Sequence, residues 1–101
     1  MNNIKYESEG RIIGSKLYSS LSDKHQTIIR FGMTPQELVD VFEKNLRIKL
    51  AKLELERLGM SELNEDVEVL ESFGKAVYHE VIQSYTRGFV LGLMDSSDMV
   101  V

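Results

Sequence analysis

His25 and His79 are the only histidines, and neither has a carboxylate or second histidine at the three- or four-residue spacing that sets two ligands on one helix face. The chain has no cysteine, which removes thiolate nucleophiles, disulfides and cysteine-based zinc or iron–sulfur sites. It also lacks the HExxH metal pair, the phosphate-cradling P-loop, the GxGxxG dinucleotide turn and the GxSxG nucleophile elbow. Several Asp and Glu residues could pair as acid and base, but nothing in their spacing brings two to one apolar pocket. The expectation is therefore no catalytic residue, no metal, no cofactor and no enzymatic activity.

Two groups of side chains suit binding instead. Glu62, Glu65, Asp66, Glu68 and Glu71 place five carboxylates within ten residues, a negative face that would steer a protein with a basic surface. Helix-start capping is the plain structural explanation of the same residues. Tyr78, Tyr85 and Phe89 share a helical face near Arg87, Lys75 and His79, and aromatics beside a cation can hold a nucleotide-like ligand at a subunit interface. Core packing explains those aromatics as well, so the possible ligand set is Tyr78, Tyr85 and Arg87.

Arg30 to Leu38 reads as helix end, short turn, helix start, and resembles the turn of helix-turn-helix regulators over that stretch alone. The resemblance would imply a nucleic-acid-binding regulator. Against it, the second helix opens with Glu37 and Asp40, where a groove reader needs lysine and arginine.

The elements that must carry these groups are helical. Thr34 reads as an N-cap, Pro35 as the first helical residue, and Glu37 as the return half of a capping box, with Met33 and Leu38 as a hydrophobic staple. Strong helix formers continue until Gly59, predicting a helix over 35–58. At 100° per residue, Leu38, Val39, Phe42, Leu46, Leu50 and Leu53 fall on one arc of it, and Val41, Ile48, Ala51, Leu55 and Leu58 on the opposite arc. A helix apolar on two sides needs two neighbours, and the second arc is expected to be an oligomer interface or the other side of a sandwiched central helix.

A second long helix is predicted over 65–94, capped by Ser61 or Asn64. Its inner face is Val67, Leu70, Phe73, Val77, Val81, Tyr85, Phe89 and Leu91, interleaved with Gly74, Ser84, Gly88 and Gly92, and Asp95–Asp98 ends it. Upstream, a short helix from Ser8 to about Ser20 contains Gly10 and Gly14, whose spacing leaves a notch where another helix can approach or, alternatively, frays the helix start. Residues 21–31 favour a second short helix, with a two-stranded ribbon as the alternative because of Thr27, Ile28, Ile29 and Phe31.

The fold class read from this pattern is all-α. It is a long antiparallel helical hairpin (35–58 and 65–94) with one or two short N-terminal helices in a single 1–101 domain. Rods of about 36 and 43 Å at 1.5 Å per residue exceed a compact monomer of this length, so an elongated, homodimeric subunit is expected.

Net charge is −4 and unevenly spread: residues 1–34 carry +2, residues 35–59 balance, and residues 60–101 carry −6. Without a signal-peptide pattern or an apolar run near 20 residues, a cytoplasmic location without membrane contact is expected. Small size, acidity and the lack of catalytic sets suit an accessory regulator or inhibitor acting by protein binding, of the kind phages and mobile elements encode.

Overall fold

The computed structural model describes residues 3–97. Among them are four α-helices and no strand: α1 (Asn3–Ser20), α2 (Asp23–Gly32), α3 (Pro35–Arg57) and α4 (Val67–Ser97), with a 3-10 turn at Ser61–Leu63. The chain divides into two compact units. Unit 1 contains residues 1–41 and 83–101, and unit 2 contains residues 42–82, so α3 and α4 each contribute to both. Among the described residues, no helix is long and apolar enough to cross a membrane.

In unit 1 the two glycine pairs meet. A Cβ placed on Gly10 or Gly14 would collide with the backbone of α4 at Tyr85, Phe89 and Leu93. One placed on Gly88 or Gly92 would collide with the backbone of α1 at Glu7, Arg11 and Ser15. The order of these contacts shows that α1 and α4 run parallel, backbone against backbone, with GRIIG facing GFVLG. Only glycine permits that separation, because any side chain would hold the two backbones apart. The contact explains why α1 begins at Asn3, five residues before the expected Ser8 cap: packing on α4 outweighs the helix penalty of its two glycines. Past the seam, the Ser96 hydroxyl donates to Ser15 Oγ at 2.9 Å, and an exposed Arg11–Asp95 pair at 3.9 Å adds little.

The ambiguous stretch is helical. Ser22 caps α2 by accepting from the His25 N–H at 3.4 Å, and Ile29 is the buried anchor. Gln26 donates its side-chain amide to the carbonyls of Tyr18 (2.8 Å) and Leu21 (3.3 Å), so α2 ties itself to the turn that ends α1. A strand would forfeit both the cap and this closure.

The start of α3 follows the capping-box reading. Thr34 Oγ1 accepts from the Glu37 N–H at 3.2 Å, and Glu37 Oε1 accepts from the Thr34 N–H at 3.1 Å. The backbone bond from Thr34, then its side chain, holds the Glu37 carboxyl below the usual glutamate range. A pKa lowered by folding stabilises the fold above the unfolded value, and the contribution disappears as pH falls through the folded value. In an NMR titration the Thr34 amide should therefore report a midpoint below that of an ordinary glutamate. Thr34→Ala should move the midpoint up and destabilise the chain by about 0.5–2 kcal/mol. A midpoint at the ordinary value in the unaltered chain would show that the box does not form.

Unit 2 is built on the α3–α4 pair. Gly74 lets α4 approach α3: a Cβ there would lie 2.6 Å from the Arg47 carbonyl oxygen and 3.3 Å from the Ala51 Cβ. Ala51, Leu55 and Leu70 form a buried cluster against which Ile48, Leu63, Val69 and Phe73 pack. Leu46 and Leu50 of the first α3 arc are also buried in this unit, as Leu38 is in unit 1.

The second arc corrects the interface reading. Ala51 and Leu55 are buried by their own chain and Ile48 packs on them, leaving only Val41 and Leu58 of the five exposed. The intrachain helix pair covers the middle of the flank assigned to an oligomer. The inner face of α4 shifts as well: Val67 is exposed and Leu91 half-buried, whereas Tyr78 and Leu93 are buried with Leu70, Val81, Tyr85 and Phe89. Helix α4 begins at Val67 and reaches Ser97, beyond the expected 94; Asp98 lies outside the described residues.

Candidate protein-binding surface

The α3–α4 connection is a multiply hydrogen-bonded turn. Gly59 adopts φ 74°, the left-handed conformation that closes the end of α3. Its N–H donates to the Glu56 carbonyl at 3.1 Å, and the Met60 N–H to the Leu55 carbonyl at 2.8 Å, which together form a Schellman motif. The Ser61–Leu63 turn follows, with the Asn64 N–H donating to the Ser61 carbonyl. Asp66, rather than Ser61 or Asn64, then caps α4, because its Oδ1 accepts from the Val69 N–H at 3.3 Å.

This scaffold presents both charge and apolar area. Glu62, Glu65, Asp66 and Glu68 are exposed along it, and so are Leu58 (59%), Met60 and Val67 (62%). Apolar side chains held out to water and edged by one sign of charge make an amphipathic surface, the composition expected where a protein partner docks.

Glu71 belongs elsewhere. It is exposed one turn along α4, 3.9 Å from Lys44, in a shallow cleft of about 170 Å³ also lined by Arg47 and Lys75. Lys44 pairs with that carboxylate and two further cations line the same cleft, so the acidic face narrows to the four residues nearer the turn.

The aromatic ligand set separates. Tyr78 and Tyr85 are core residues, Tyr85 with no exposed surface, and neither can offer a ring to a ligand. Arg87 is exposed and lines an open groove of about 410 Å³ in unit 1, with Gln36 and Val39 of α3 and Thr86 and Val90 of α4. The tyrosines are absent from that lining because residues at core spacing on α4 turn inward.

Helices α2 and α3 do meet across Met33 and Thr34. The first turns of α3, however, expose Glu37 and Asp40, and Asp40 accepts from the Gln36 side chain at 3.0 Å. A start of that charge repels phosphate.

Sequence reasoning missed Glu54. It is the one charged side chain buried among the described residues, and Arg57 one turn later neutralises it. Their three-residue spacing was the available signal. Among the described residues, no three His, Asp or Glu side chains are grouped to hold a metal ion. Comparison with protein families, with curated protein sequences and with solved structures finds no match.

Proposed function

We propose that this chain is a non-catalytic protein-binding module whose working surface is the α3–α4 connection. It receives a partner segment that offers cations and apolar side chains together. The observation that carries this reading is the exposure of Leu58, Met60 and Val67 on a hydrogen-bonded connection that also exposes Glu62, Glu65, Asp66 and Glu68. A connection serving only to reverse the chain gains nothing from holding three large apolar side chains in water. The carboxylates raise the encounter rate and orient the partner, and the apolar residues slow its release. A module of this kind acts as a regulator or inhibitor by occupying its partner, in a cytoplasmic setting and as part of a homo-oligomer.

The test is quantitative affinity capture from the source cell with the unaltered chain, with Val67→Asp, and with Glu65→Gln/Glu68→Gln. One and the same protein, a second copy of the chain included, should be depleted from both variants. Capture that is indifferent to both variants would refute the reading.

A further inference from the structure

Helix α2 also carries large exposed apolar side chains, and here they stand beside cations. Phe31 is 78% exposed on the side of α2 opposite the buried Ile29, and the exposed Ile28 lies one turn before it. The guanidinium of Arg30 stands 5.2 Å from the centre of the Phe31 ring, a cation–π arrangement that holds both groups in place. Lys24 is exposed on the same outward side, and the single carboxylate of α2 is Asp23 at its first residue, where the helix dipole favours it. The outward face of α2 is thus aromatic, aliphatic and cationic.

That chemistry is the counterpart of the α3–α4 connection, which is aliphatic and anionic. The exposure of Phe31 and of Val67 shows that neither surface is covered by its own chain. We propose that the partner of the acidic connection is a second copy of this chain. The Phe31–Ile28 face of α2 in one protomer packs on Leu58, Met60 and Val67 of the next, with Arg30 and Lys24 directed at Glu62, Glu65 and Glu68. The inference rests on the reading of the connection as a protein-binding surface and supplies its partner. The two surfaces differ, so the contact is heterologous, and each protomer keeps one face of each kind free for a further copy.

Sedimentation equilibrium on the full chain and two variants, Phe31→Asp and Val67→Asp, tests this. Both positions are exposed, and circular dichroism checks that each variant keeps its helices. The unaltered chain should show a mass that rises with concentration above the 11.6 kDa of one copy. Each variant alone should stay at the single-copy mass. Their equimolar mixture should reach twice that mass and no more, because each variant retains the face that the other has lost. Three results would each overturn the proposal: an unaltered chain that stays monomeric up to about 1 mM, the weak end of specific association; a single variant that still self-associates; or a mixture that stays monomeric. The first leaves the capture experiment free to find a different basic partner, so failure of this inference is distinguishable from failure of the protein-binding reading.

Discussion

Gly88→Ala is expected to lower the melting temperature by about 10–20 °C, although helix propensity alone makes the change stabilising by about 1 kcal/mol. The added methyl would collide with the Glu7 carbonyl and lie 3.0 Å from the Arg11 nitrogen. Overpacking of a core usually costs about 1–3 kcal/mol, relieved in part by rotation of neighbouring side chains. Here the atoms met are backbone and cannot rotate away, so α1 must move off α4 and loosen the contacts at Gly10, Gly14 and Gly92 together. A loss of about 2–3 kcal/mol is a large fraction of the 5–15 kcal/mol that holds a typical domain. Gly32→Ala supplies the control. Its Cβ would meet only Ile28 Cγ2 at 4.0 Å, and with fewer unfolded conformations to lose it should be neutral or stabilising by up to about 1 kcal/mol. Thermal melts followed by circular dichroism decide the matter, and a Gly88→Ala chain that melts with or above the unaltered protein would disprove the close α1–α4 contact.

Phe89→Ala is expected to cost about 3–5 kcal/mol, enough to leave the chain near the edge of folding at 37 °C. The ring has no exposed surface, and its backbone faces Gly10 and Gly14. Helices already in backbone contact cannot close further on the space that the ring vacates, so the cavity persists and its cost adds to the lost transfer energy. Urea unfolding measures it, and a loss under about 1 kcal/mol would place Phe89 outside the core. Combining Phe89→Ala with Gly88→Ala should give less than the sum of the two, since each loosens the same seam and neighbouring sites are not additive.

The features that the sequence determined are those set within a few residues. The Thr34–Glu37 box depends on atoms three residues apart, and the end of α3 depends on Gly59 alone adopting positive φ without strain. The helical class follows from propensity and period summed over long windows, and the charge of the connection from composition.

Tertiary structure decided what faces what. Period assigned Ala51 and Leu55 to an outward flank and Val67 to the core, because a helix apolar on two sides does not specify which neighbour takes which arc. Proximity along α4 grouped Tyr78 and Tyr85 with Arg87 as one ligand set, but only the packed chain shows that the rings turn inward while the guanidinium stays in water. The glycines show the division most clearly. The notch at Gly10 and Gly14 and the small residues at Gly88 and Gly92 were each legible in the sequence, whereas their meeting was not. Side-chain spacing records that a helix can be approached closely, and the identity of the approaching helix is fixed only when 101 residues compete for the same buried surface.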